Sequence, residues 1–185
     1  MMRARGFTLI ELTIVIVITG IIAASVAVFF RPAVSSYFDT RRRAELAAMA
    51  DTALRRVGRE VRRAVPNSVR IPNDQCFEFV PSRTGGLYRR AADVVNAGSD
   101  PLDTSGPDSA FDVLSPLSSA PAAGDFIVIG NQNTDDVYTG ATRGTVTAWQ
   151  SPPAPGGAIV GQGRISLSAA TQFPPSYDGG RFFVV

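Results

Sequence analysis

Glu11 is a carboxylate in a stretch otherwise fit for lipid. It is the only charged residue among the 24 from Phe7 to Phe30. Acidic groups near the centre of a membrane helix cost about 2.5–3.5 kcal/mol on insertion scales, and less near an interface. Anchoring gives no reason to carry that cost, so the charge points to a later partner. Gly6 and Phe7 stand just ahead of it, behind a short leader holding Arg3 and Arg5.

Other candidate chemistry is thin. The chain of 185 residues has no His and no Lys. Loss of His removes the commonest general base and every Ser-His-Asp or Cys-His set. The single cysteine, Cys76, rules out an intrachain disulfide and a Cys-rich metal cluster. Two readings of it stay open: a buried thiol in the run Cys76–Val80, or one half of a disulfide whose partner lies elsewhere. Asp135 and Asp136, with Asn131 and Asn133, offer oxygens suited to Ca²⁺, but the spacing lacks the Glu that closes an EF-hand loop. Gly156-Gly157 and Gly161-Gln162-Gly163 open no helix in a nucleotide-binding context. The expectation is no enzyme, no metal and no cofactor.

These residues sit on a long helix. At 1.5 Å per residue, 24 residues reach about 36 Å, enough to span a hydrocarbon core of about 30 Å with some tilt. A bend is expected near Pro32. Beyond it Leu46, Ala50, Ala53, Val57, Val61 and Ala64 fall on one helical arc, with Arg55, Arg56, Arg59, Arg62 and Arg63 opposite. Asp39 with Arg43 and Asp51 with Arg55 are spaced for exposed ion pairs. Pro66-Asn67 ends the helix near residue 65.

After Pro66 the texture becomes short β-like runs between turn residues. Cys76–Val80 alternates, Ser82–Gly86 reads as a turn, and Leu87–Arg89 reads as a returning strand. Residues 91–109 and 115–124 read as loops. Further strands are expected at Asp125–Ile129, Thr145–Gln150, Ala158–Val160, Arg164–Ser168 and Arg181–Val185. The fold class is therefore α+β, a long N-terminal helix packed on an antiparallel sheet. The charge is split: residues 1–70 hold 12 Arg and 5 acids, a balance of +7, and residues 71–185 hold 6 Arg and 11 acids, a balance of −5.

The basic leader, Gly6, Phe7 and a Glu four residues after the Phe resemble the prepilin signature of type IV pilins and type II secretion pseudopilins. The resemblance implies cleavage after Gly6 by a prepilin peptidase and N-methylation of the new terminus, Phe7. It gives Glu11 a role in assembly register, pairing with the terminal amine of a neighbouring subunit. It also implies a pilin-like fold with these segments: leader 1–6, transmembrane helix 7–30, amphipathic stalk 31–65 and a β-rich periplasmic domain 66–185. Stretches within residues 31–56 are similar to minor pilin-like proteins of mannose-sensitive haemagglutinin (MSHA) pilus biogenesis. Implied partners are other pilin subunits, the inner-membrane assembly platform, and membrane lipid before assembly.

Alternatives stand beside this reading. Ile22-Ala23-Ala24 before Ser25 is a passable signal-peptidase site, and a plain signal anchor explains the helix length but not Glu11. The Arg stripe is suited to intersubunit pairing with acidic surfaces. Few aromatics interleave with it, which disfavours nucleic acid. The apolar end, Arg181–Val185, raises the expectation of a chain truncated there, with a second Cys beyond it.

Overall fold

A computed structural model describes residues 6–152, 161–175 and 179–185. The chain divides into two compact units, Met1–Arg56 and Val57–Val185.

The first unit is helical. Helix α1 runs Leu9–Val61 as one element with Pro32 inside it, and none of its residues is buried. Hydroxyls within it bond back to the helix: Thr13 Oγ1 donates to Leu9 O at 2.9 Å, and Ser25 Oγ to Ile21 O at 2.8 Å. This satisfies polar side chains in an apolar setting without water. Asp51 and Arg55 form the expected pair at 2.8 Å. Asp39 and Arg43 do not pair among the described residues; Arg41 instead reaches Glu45 at 3.0 Å.

The second unit starts at Val57 and includes the end of α1 at Val61, a turn earlier than expected. Arg63 N bonds Glu60 O and Ala64 N bonds Val61 O, both at 3.0 Å, which tightens the chain toward Pro66. Six strands follow in one antiparallel sheet: β3 (Thr84–Leu87), β4 (Asp108–Val113), β5 (Phe126–Ile129), β6 (Arg143–Gln150), β7 (Gly163–Thr171) and β8 (Arg181–Val184). Their spatial order is β3-β8-β5-β6-β7-β4. The two outer strands approach each other at one end, through a bridge between Tyr88 and Val113 and a bond from Leu114 N to Leu87 O at 2.8 Å. A separate hairpin joins β1 (Arg70–Asn73) to β2 (Cys76–Glu78), and a short α2 (Asp136–Thr139) follows β5.

Several expectations need correction. Cys76–Val80 does not form a hairpin with Leu87–Arg89. The chain leaving α1 captures the intervening segment: Val65 N bonds Val80 O at 2.9 Å, and Ser82 donates from both N and Oγ to Arg63 O. The supposed turn at Thr84-Gly85-Gly86 is strand β3, paired with β8. Part of the expected loop 91–109 belongs to β4. The expected strand Ala158–Val160 and Gly156-Gly157 lie outside the described residues. The apolar run Arg181–Val184 sits between β3 and β5, with Phe182 and Val184 fully buried, and that position accounts for its composition.

The main core gathers Phe111, Val113, Ile127, Ile129, Ile165, Phe173, Phe182 and Val184. Phe111 meets Phe182 edge-on with centroids 5.6 Å apart. A smaller cluster of Val65, Val128 and Val137, with Val80, Tyr138, Phe183 and Val185 against it, lies on the other face. Gly163 has to be glycine: a Cβ there would strike the Trp149 ring.

Asp112 is fully buried on β4. Its Oδ1 accepts from Arg164 Nε at 2.8 Å, and its Oδ2 from Asp100 N at 2.8 Å, with Arg89 Nε 3.5 Å away. Arg164 also donates to Gly98 O at 2.7 Å. The Asp112 hydrogen bond raises the pKa of the Arg164 guanidinium above its ordinary value. Asp112→Ala would remove the buried carboxylate that Arg164 and Arg89 share and leave them their contacts to Asp100 and Asp93, each at 3.4 Å; breaking a buried pair costs about 3–5 kcal/mol. Arg41→Ala, at an exposed pair in α1, should leave unfolding of the sheet domain unchanged, because α1 contributes no residue to its cores. Denaturant unfolding of the full chain in detergent, followed by Trp149 fluorescence, compares the two; equal costs would refute this account.

The loop tied by Asp112 also carries a pH dependence. Amides of Asn96 and Val95 hold the Asp93 carboxyl below its ordinary value of 3.8, and Ser105 does the same for Asp103 through its hydroxyl and its amide. Groups depressed on folding contribute stability above the unfolded value, and that stability is lost as pH falls through the folded one. Desolvation raises Asp100, which acts in the opposite sense. Hydrogen-exchange protection at Val95, Asn96 and Ser105 should therefore fall on acidification below 3.8. Unchanged protection would count against these contacts.

Candidate assembly site at the helix start

The start of α1 is built by two side chains. Thr8 precedes the first helical residue, and its Oγ1 accepts from Glu11 N at 3.3 Å. Glu11 Oε2 returns the contact, accepting from Thr8 N at 3.3 Å and Thr8 Oγ1 at 3.1 Å. This reciprocal arrangement is a capping box: two backbone donors that the helix leaves unpaired are satisfied locally. A carboxylate in the first turn also meets the positive end of the helix dipole. Reading Glu11 only as a charge misses Thr8, yet the Thr-x-x-Glu spacing that signals a capping box is plain in the sequence.

Glu11 therefore has a structural use within its own chain, and it does not exhaust the carboxylate. Oε2 carries the cap, while Oε1 has no partner among the described residues. The surroundings are open: Phe7 is 80% exposed, and Leu9, Ile10 and Leu12 are exposed as well. A Cβ on Gly6 would meet nothing within 4 Å. No packing among the described residues requires glycine at position 6. Thr8 and Glu11 both follow the Gly6–Phe7 bond, so cutting there would leave the box whole.

The remaining candidates separate from this site. Cys76 is exposed on β2, not buried, which corrects the buried-thiol reading. It is the sole cysteine in the sequence, so a disulfide partner would have to come from another chain or from sequence beyond Val185. Asp135 Oδ1 accepts from Arg70 Nη1 at 2.8 Å. Asp136 Oδ2 accepts from Asn133 N at 2.9 Å and Nδ2 at 3.1 Å. Asn131 bonds Pro66 O and Thr142. These polar groups tie the α2 turn to the chain leaving α1. No group of three or more His, Cys, Asp or Glu placed to hold a metal occurs among the described residues. Of the Arg stripe, Arg55 is paired within α1, whereas Arg62 and Arg63 border a groove in the second unit.

A family model described as the prokaryotic N-terminal methylation motif matches residues 1–27. No curated protein and no solved structure matches the chain. The motif supports a pilin-like or pseudopilin-like protein processed at its amino terminus, and α1 is long and apolar enough to cross a membrane.

Two substitutions separate the cap that Glu11 makes from the assembly role expected of it. Gln preserves a capping box, since Glu and Gln both serve at that position, but removes the charge. Val removes both. Glu11→Gln should keep helix content and membrane insertion while impairing incorporation into filaments as severely as Glu11→Val. Circular dichroism in detergent and immunodetection of sheared filaments measure the two properties, and normal assembly of Glu11→Gln would show that the charge is dispensable.

Proposed function

We propose that this chain is a minor pilin-like subunit of a type IV, MSHA-type pilus, acting in pilus biogenesis and hence adhesion. A prepilin peptidase removes residues 1–6, and Phe7 is N-methylated. Before assembly, residues 7–30 hold the chain in the bacterial inner membrane as a single span. Residues 31–65 continue the stalk, and 66–185 form the periplasmic domain. Assembly then moves α1 from lipid into contact with the helices of other pilin subunits. Apolar surface is buried in both settings, so the transfer needs little net hydrophobic work.

The observation that carries this reading is the division of labour in the Glu11 carboxylate. One oxygen closes the cap and the other has no partner among the described residues, four residues from the terminus that cleavage would create. A carboxylate charge in an apolar helix is costly, and pairing with a neighbour's Phe7 amine offsets that cost only at one axial offset. A polar pair of this kind is weak evidence for stability but works as a register device. The role is structural, and no step of it requires catalysis.

Mass spectrometry of the mature amino terminus from cells tests the proposal. N-methylated Phe7 is expected. An intact Met1, or a terminus at Ser25, would overturn it.

A further inference from the structure

The outward face of β3 and β8 forms an open groove of about 770 Å³, lined by Arg62, Arg63, Arg83, Leu87, Arg181 and Phe183 among others. Its floor follows from register. Gly85 pairs with Phe183 and Leu87 with Arg181. Residues alternate across a strand, so these four share the face opposite the buried Phe182 and Val184. Gly85 adds no side chain, and Leu87 is 41% exposed. Arg83 is fixed by an ion pair with Asp125. Neither Arg62 nor Arg63 makes an ion pair among the described residues. The groove is thus apolar below and cationic at its rim.

The same unit carries a surface of opposite character. The β1–β2 hairpin pairs with no strand of the six-stranded sheet. Its base is pinned: Arg70 pairs with Glu78 and Asp135, and its guanidinium lies 3.6 Å from the Tyr138 ring centroid. Beyond that base Ile71 is 74% exposed and Phe77 45% exposed. Asp74, in the turn, makes no ion pair among the described residues. An isolated two-stranded hairpin with apolar flanks gains stability from being covered.

We infer that the hairpin of one copy, led by Asp74 with Ile71 and Phe77 beside it, docks into the arginine-rimmed groove of a second copy. The carboxylate meets Arg62 and Arg63, while the apolar flanks cover Leu87 and Phe183. A small anion would engage the guanidinium groups but leave the apolar floor wet; the hairpin answers both. The two surfaces differ, so the contact is heterologous and each docked copy still presents a hairpin or a groove to the next. The inference rests on the filament reading in taking a second copy as the occupant.

Engineered thiols on the two facing surfaces provide the test. Cys76 is the neighbour of Phe77 on β2 and so points to the opposite face; it is replaced by Ser, and Phe77→Cys and Leu87→Cys are made together in the full chain, purified in detergent and oxidised mildly. A ladder of disulfide-linked dimers, trimers and larger species is expected, because every copy carries one hairpin thiol and one groove thiol. Leu87→Cys with Cys76→Ser alone should give no ladder. Arg62→Glu with Arg63→Glu should abolish the ladder, and adding Asp74→Arg should restore it, which guards against simple misfolding. A ladder indifferent to these reversals, or none while the introduced hairpin thiol remains alkylatable, would overturn the inference. Binding of a short DNA duplex through Arg62 and Arg63 without a ladder would assign the groove to phosphate and overturn it equally. A processed Phe7 terminus without a ladder removes only this interface; a ladder with an unprocessed terminus removes the filament reading instead.

Discussion

The sheet domain depends on a buried carboxylate. Asp112 lies at zero exposure on the outer strand β4, where an ion would be untenable without compensation. Arg164 from the neighbouring β7 supplies a charged donor, and the Asp100 amide supplies a second hydrogen bond. Those bonds fix the end of a long acidic loop against the sheet. Leu102 is consequently buried, and its amide bonds Arg89 O at 2.9 Å. The same strand meets the chain leaving β3 through Tyr88 and Val113. A long, polar, glycine-containing loop would otherwise be free to fray, leaving that edge of the sheet open to pairing with other chains.

Much of this was legible as pattern, and the failures have physical causes. The apolar run and its arginine-rich continuation mark α1 directly, because periodicity over many turns is a strong signal. Strands β5, β6, β7 and β8 appear as apolar or alternating runs with glycine or polar residues between them. β4 hides because Asp112 occupies a buried position, so Phe111-Asp112-Val113 breaks the simple alternation. The hairpin partner of Cys76–Glu78 is misread because proximity in sequence favours Leu87. Competing bonds from the segment after α1 decide otherwise. Gly85-Gly86 looks like a turn, yet backbone freedom there serves close approach: a Cβ on Gly85 would lie 2.7 Å from Phe182 O.

The candidate site shows the same mixture. Gly6, Phe7 and Glu11 stand out by residue type and spacing. Thr8 is legible too, through its Thr-x-x-Glu spacing, but is overlooked when Glu11 is read only as a charge; the box it forms explains how the carboxylate is held within its own chain. Cys76 reads as a core residue from its apolar neighbours, but β1–β2 is only two strands thick and exposes it. Burial depends on what covers a strand, and local sequence does not record that.

The placement of the two cores bears on how such a chain changes environment. Both clusters are assembled from residues between Val65 and Val185, and no residue of α1 contributes to either. The proposed move of α1 from lipid into a bundle of other helices would therefore remove no buried contact from the sheet domain. A domain whose core borrowed the helix would have to loosen at each transfer, and folded domains have only about 5–15 kcal/mol to lose. Separate cores would let α1 exchange partners, as the proposed assembly requires, without placing the sheet fold at risk.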